Sequence, residues 1–359
     1  MTVGRFLAVG GTVLLIAVVF AATNRGNGFS DYVPSVERFY TRWIPPASPQ
    51  VDDKIAPLEV DALTKLGHMI SGRLVWSSNR GGNHDLYLAE LSTGSVRRLT
   101  DHPHVDYFSR FSPDGKQISF LRSRSPWVSF REQNEWDLYL MNADGTDARR
   151  LVEHAYHPTW DPSGSGFVFL RENKIFYFDL TSGREQLIQD GETPPLEGRL
   201  NDPELAADGR IAVTIRRREQ LVGVLDTERE TWEPVSTSQS CHITWVPGED
   251  RVLWIDGQGH GGTRVMHGRP GVVGGEVLID LPGEHSHEYF PRVTADREWL
   301  VWGATAAGHE HDRADYEIFV WRFGMPWTSA VRITHSTAND QWPDLFIDIS
   351  SQAVPQSIR

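Results

Sequence analysis

The sequence predicts an all-β fold, a six-bladed β-propeller, with an apolar helix at its N-terminus. Three observations predict it. A turn-and-strand motif returns along the chain. Apolar and polar residues alternate within each return. Each end of the repeat region lacks a strand that the other end supplies.

The motif is an aromatic or apolar residue, a turn rich in Pro, Asp and Gly, and an apolar strand. It reads Phe111-Ser112-Pro113-Asp114-Gly115 before Ile118-Ser119-Phe120-Leu121, and again Trp160-Asp161-Pro162-Ser163-Gly164 before Phe167-Val168-Phe169-Leu170. Looser copies follow at Leu205, Trp245 and Val293, and a partial one at Trp342 to Phe346. Anchors at 111, 160, 205, 245, 293 and 345 lie 40 to 52 residues apart, the size of a four-stranded blade. A third strand opens on an acidic or aromatic residue, as in Asp85-Leu86-Tyr87-Leu88, Asp137-Leu138-Tyr139-Leu140 and Tyr316-Glu317-Ile318-Phe319. A fourth follows, as in Arg97-Arg98-Leu99-Thr100 and Val331-Arg332-Ile333-Thr334. Such alternation marks half-buried strands, and a blade buries both its faces only by stacking on neighbours.

The repeat region begins at Leu74-Val75-Trp76-Ser77, a second strand with no first before it. It ends at 341–347, a first strand with no second after it. The C-terminal strand therefore completes the N-terminal blade, which closes the ring and removes both sheet edges. The division is 1–22 signal anchor or signal peptide, 23–70 linker, 71–348 propeller and 349–359 tail. Phe6 to Ala22 is uncharged and almost wholly apolar between Arg5 and Arg25, a short span for a bilayer or a long signal peptide. Either reading puts the body outside the cytoplasm: membrane-tethered in the periplasm or outside the cell, or secreted if the signal is cleaved. In the linker, Tyr32 to Ile44 and Leu58 to Ile70 read as short helices, the second with Leu58, Leu63 and Leu66 on its apolar face.

Trp76-Ser77-Ser78-Asn79-Arg80, Asp85-Leu86-Tyr87, Arg97-Arg98-Leu99-Thr100 and Phe111-Ser112-Pro113-Asp114-Gly115-Lys116 resemble the WD-like repeat of the TolB-type propeller family. The resemblance is strong over 74–180, weak over 185–280 and returns over 289–346. It covers the propeller part only. It implies a protein-binding or ligand-binding scaffold of the cell envelope, with an envelope protein or a saccharide as partner. The family's oligogalacturonate lyases hold manganese on histidines near the axis. That implies an alternative, a metal-dependent polysaccharide lyase.

Composition excludes other classes. A net charge of −13, with no basic run longer than Arg216-Arg217-Arg218, argues against nucleic acid. Cys241 is the single cysteine, so no internal disulfide forms. No Gly-x-Ser-x-Gly, His-Glu-x-x-His or phosphate-binding loop occurs.

Most of the 14 histidines fall in loops of one face, those between second and third strands and those between blades. Candidate ligand-binding residues are His104, His157, His242, Arg110 and Arg292. Glu284-His285-Ser286-His287-Glu288 is the leading metal candidate, because residues two apart on an extended segment share a side. His309 and His311 come second. Imidazole with carboxylate suits zinc or manganese. The competing reading is structural: Arg110, Glu204, Arg292 and Asp344 occupy equivalent first-strand positions and form a mixed-charge ring. Asp85 and Asp137 read as structural turn residues.

Overall fold

A computed structural model describes residues 55–237, 239–306 and 311–348. Six antiparallel four-stranded sheets form the ring. Blade 1 joins Asp340–Ile347 to Gly72–Ser78, Asp85–Glu90 and Ser95–Arg98, so the last strand among the described residues is the first strand of the first blade. Its partner is Gly72–Ser78, with Leu74 opposite Leu345 and Ser78 opposite Asp340. Blades 2 to 6 run in chain order, with first strands Asp106–Phe111, Tyr156–Trp160, Arg199–Leu205, Ser240–Trp245 and His287–Val293 innermost. Each blade lies between two others, so second strands such as Trp299–Thr305 are buried along their whole length.

The repeated sequence corresponds to repeated bonds. Asp85, opening the third strand of blade 1, receives Arg98 of the fourth at 2.5 Å and the Thr100 hydroxyl at 3.2 Å. Thr100 in turn accepts the Leu86 N–H at 3.0 Å. In blade 2, Asp137 takes Arg150 at 3.3 Å and the His154 N–H at 3.0 Å. In blade 6, Glu317 takes Arg332 at 2.6 Å, and Thr334 accepts the Ile318 N–H at 2.9 Å. These carboxylates tie strand three to strand four. In the first turn Asp114 accepts the Ser112 hydroxyl at 2.6 Å. Gly115 there has φ of 68°, and a Cβ would meet the Phe346 ring at 2.3 Å, so both conformation and space demand glycine.

The one α-helix among the described residues, α1 (Pro57–Gly67), lies over the seam between blades 6 and 1. Pro57 suits its first turn, and the Glu59 carboxylate accepts the Ala56 N–H at 3.2 Å. Ala62, Leu63 and Leu66 pack with Trp299 and Val301 of blade 6 and Leu74 and Leu345 of blade 1. Two expectations need correction. The helix stops at Gly67 rather than Ile70, and Leu58 is 60 % exposed. Its inward place goes to Glu59, because a buried cation awaits it there. Arg80, 2 % exposed, donates to Glu59 at 3.1 Å and to Asp340 at 3.1 Å. Burial works against the Arg80 charge, and the Asp340 and Glu59 carboxylates outweigh it, holding the guanidinium above its ordinary value. Helix, first blade and closing strand thus meet at one side chain.

Among the described residues no helix is long and apolar enough to cross a membrane. The run Phe6–Ala22, the helix expected over 32–44 and the tail lie outside them.

Arg80→Met leaves two carboxylates buried without their cation. Denaturant titration followed by tryptophan fluorescence is expected to show a loss of about 3–5 kcal/mol. Lys116→Ala, at an exposed pair, is expected to change stability by less than about 1 kcal/mol.

Candidate functional site

Every first strand carries a bulge at the same place. Register shifts fall between Tyr107 and Arg110, Tyr156 and Thr159, Asn201 and Glu204, Cys241 and Thr244, and Tyr289 and Arg292. In blade 1 the slip lies between Gln341 and Asp344. The first bulged residue has positive φ in all six: Phe108 60°, His157 47°, Asp202 51°, His242 50°, Phe290 57° and Trp342 57°. The next is Pro158, Pro203, Pro291 or Pro343 in four of them, where no ladder N–H is needed. The bulges stack two rings about the axis. One is Phe108, His157, Asp202, His242, Phe290 and Trp342. The other is Arg110, Thr159, Glu204, Thr244, Arg292 and Asp344. Between them lies a gap of about 30 Å3, room for water and not for an organic ligand.

The first ring faces the histidine-rich end, and that end is sealed. Ring centroids of Phe290 and Trp342 are 3.9 Å apart. The loop over 124–135 lays Phe130 on top, 4.5 Å from Trp342 and 5.0 Å from His157. Asp312, from the corresponding loop of blade 6, holds it there. Its carboxylate accepts the Ser129 hydroxyl at 2.5 Å and the Phe130 N–H at 3.0 Å.

The opposite end is open. A funnel of about 1030 Å3 runs in from the turns between first and second strands. Phe111, Trp160, Trp245 and Phe346 are among its lining residues, and Arg110, Thr159, Glu204, Arg292 and Asp344 form its floor. Arg292 donates to Glu204 at 2.5 Å and to Thr244 at 2.9 Å. Arg110 has no such carboxylate. It donates to the carbonyls of Ser109, Trp342 and Pro343 at 2.7, 3.3 and 3.4 Å, and lies 4.7 Å from the Phe108 ring. Burial, then the Arg292 charge, pushes the Arg110 guanidinium down to about 9, still protonated at neutral pH. The Asp344 carboxylate is engaged by the Phe111 N–H at 2.8 Å.

The structure separates the candidate residues. Arg110 and Arg292 share the funnel floor, as the ring of equivalent positions implied. His157 and His242 flank Asp202, whose carboxylate pairs with Nδ1 of His157 and lies 3.4 Å from Nδ1 of His242. Burial drives the His157 ring below its ordinary value, against the pull of Asp202. His311 joins them, 5.6 Å from His242 between ring centroids, with Nδ1 3.2 Å from the Tyr316 hydroxyl. His104 sits in the link between blades 1 and 2, its Nδ1 bonded to the Ser123 carbonyl at 2.7 Å. His285 packs on the Phe319 ring at 5.6 Å. His287 opens its strand opposite Thr305. The axial position of that blade is Phe290, so neither His285 nor His287 occupies the ring. His309 lies outside the described residues. Among those residues no three His, Cys, Asp or Glu side chains are grouped as a metal ion requires.

Sequence reasoning missed Asp202, Trp342, Phe130 and Asp312. The repeated x-Pro pairs His157-Pro158, Asp202-Pro203, Phe290-Pro291 and Trp342-Pro343 were the available signal for the axial ring. Nothing periodic marks Phe130 or Asp312.

Among solved structures, TolB from Acinetobacter baumannii aligns with a TM-score of 0.57 at 12 % identity, over 76 % of this chain and 66 % of that one. The fold is that of a TolB-type propeller. The hydrazine synthase of Kuenenia stuttgartiensis aligns at 0.54 and 12 %, over 82 % of this chain and 50 % of that one. In sequence, the Tol-Pal system protein TolB of Francisella tularensis subsp. mediasiatica is 30 % identical over 79 residues. That match spans 22 % of this chain and 17 % of that protein. An uncharacterized protein of Agrobacterium fabrum is 25 % identical over 107 residues, 28 % of this chain and 36 % of that protein. No protein-family profile matches the chain. The TolB-type likeness accounts for the ring and its repeat, and leaves the chemistry to the axial residues.

Glu288, next to His287, gives this region a pH dependence. Its carboxylate is fully buried, accepts the Leu281 N–H at 2.7 Å, and is pushed up to about 8 by burial. A raised carboxylate stabilises the fold below its ordinary value near 4.5, and that contribution is lost as pH rises through about 8. Glu288→Gln mimics the protonated form. Its stability is expected to exceed that of the parent increasingly from pH 5 to 8, by about 2 kcal/mol or more at the upper end. Parallel pH profiles for the two proteins would contradict this.

Proposed function

We propose that this chain is a non-enzymatic binding propeller of the cell envelope that holds part of a protein partner in its open funnel. The observation that carries this reading is the contrast between the two ends. One is sealed by Phe130 over Phe290 and Trp342. The other presents a cavity of about 1030 Å3 with aromatic residues on its wall and charged residues on its floor. That size and make-up suit a protruding segment of a partner. The likeness to TolB, named for the Tol-Pal system, supports a protein partner and a periplasmic place.

The chain enters the described body at the sealed end. Glu59, in the first turn of α1, bonds Arg80 and the His335 N–H, both in loops of that face. A tether through Phe6–Ala22 would therefore reach the ring from the end opposite the funnel mouth. The lyase alternative needs a metal centre, whereas on the funnel floor Glu204 is taken by Arg292 and Asp344 by the Phe111 N–H, and no metal-sized group of ligands occurs among the described residues.

A photo-crosslinking residue placed in turn at Asp114, Glu249 and Leu187 of the full-length protein tests this in the native cell. Asp114 and Glu249 line the funnel, and Leu187 lies on an outer strand, 49 % exposed. Discrete protein adducts are expected from the two funnel positions and not from Leu187. Adducts from Leu187 alone, or none from the funnel, would overturn the proposal.

A further inference from the structure

The funnel has an acidic mouth and a floor on which two arginines, Arg110 and Arg292, lie among two carboxylates, Glu204 and Asp344. Asp114, Asp144, Asp208, Glu249 and Asp250 lie around the mouth. The cations there are engaged: Lys116 with Asp114 at 3.4 Å, and Arg210 with Asp208 at 2.7 Å and Asp250 at 2.8 Å. Arg73 is held between the Phe111 and Phe346 rings and donates to the Gly115 carbonyl at 2.8 Å.

The floor differs. In Arg110 and in Arg292 alike, Nη1 makes every hydrogen bond described for the side chain. None of those bonds uses Nη2, and Nε of each is buried without a partner. Arg110, 5 % exposed, has no carboxylate within ion-pair distance among the described residues, although it is buried on a ring shared with a second guanidinium. A buried cation whose partners are backbone carbonyls and an aromatic face gains most from an incoming anion.

Building on the funnel reading above, we propose that the Nη2 groups of Arg110 and Arg292 bind one carboxylate of the partner's inserted segment. A planar guanidinium recognises a carboxylate better than a point charge does. The acidic mouth repels a polyanion, so the carboxylate enters on an uncharged or cationic stem. This makes the ligand a peptide segment with a single acidic group and disfavours a uronic acid polymer. The carboxylate belongs either to an acidic side chain or to a chain terminus, and the chemistry at the floor is the same for both.

The test uses the full chain in detergent and three peptides of one sequence. They carry a single carboxylate on a glutamate side chain, at the C-terminus, or nowhere. Trp160 and Trp245 line the funnel and report binding by fluorescence. One carboxylate peptide is expected to bind roughly tenfold tighter than the uncharged one, the strength of a charge-assisted pair. Whichever binds tighter identifies the source. In Arg110→Gln the preference is expected to fall to about twofold or less, and in Arg110→Lys to recover in part. Arg292→Gln, at a side chain 24 % exposed, serves where Arg110→Gln fails to fold. Equal affinity for charged and uncharged peptides, or a preference unchanged in the folded variants, overturns the carboxylate site. So does the absence of peptide binding, with or without binding of a uronic acid oligomer. Funnel adducts that persist alongside equal peptide affinities sink this proposal and leave the binding propeller standing.

Discussion

The innermost strands cannot run straight past one another at the axis. Each breaks its register once and places one residue at φ between 47° and 60°. For a residue other than glycine that conformation costs about 1–2 kcal/mol. It persists in all six blades because packing around the axis over-determines it. The bulge brings the positive-φ residue and the residue two after it to different levels of the channel. One level becomes a ring of aromatic, imidazole and carboxylate groups, the other a ring of charges and hydroxyls. The chemistry of both ends follows from that offset.

The ring itself is held by a different contact. Arg80 binds Glu59 of the helix and Asp340 of the closing strand, and the Asp340 carboxylate also accepts the Trp76 indole N–H at 3.1 Å. Closure by Asp340–Ile347 leaves no blade without its inner strand, and α1 covers the seam between blades 6 and 1. With the frame secured there, the axial residues are free to differ from blade to blade. They do: the position filled by Trp342 in blade 1 holds Asp202 in blade 4. Such variation on a fixed frame is how propellers of one type come to hold different partners.

The fold was legible because strand periodicity and turn residues are local. Asp85-Leu86-Tyr87-Leu88 and Val331-Arg332-Ile333-Thr334 follow strand periodicity, a Pro-Asp-Gly turn precedes Ile118 and the strand at Phe167 follows one of like kind, and the unpaired ends imply their own pairing. Arg110 and Arg292 were also legible as a pair, since equivalent positions in a repeat share one level of the ring. The sealed end was not. Phe130 reaches the axis from a loop with no periodicity, and Asp312 meets it from a blade that is not its neighbour. His285 and His287 drew notice through spacing alone, which is blind to the bulge that makes Phe290 the axial residue. In α1 the apolar pattern put Leu58 inward. The buried Arg80 reverses this, because a cation removed from water requires carboxylates.

One end of the axis is closed and the other open, and amide hydrogen exchange of the full-length protein measures that directly. The loop over 124–135 is bonded internally, with Arg124 N–H on the Glu135 carbonyl at 2.9 Å, and through Phe130 to Asp312. Its amides are expected to exchange as slowly as those of neighbouring strands. The funnel-mouth turns at 112–116 and 206–209 are expected to exchange far faster. Exchange of the 124–135 loop at the rate of those turns would show an axis open at both ends and contradict the account.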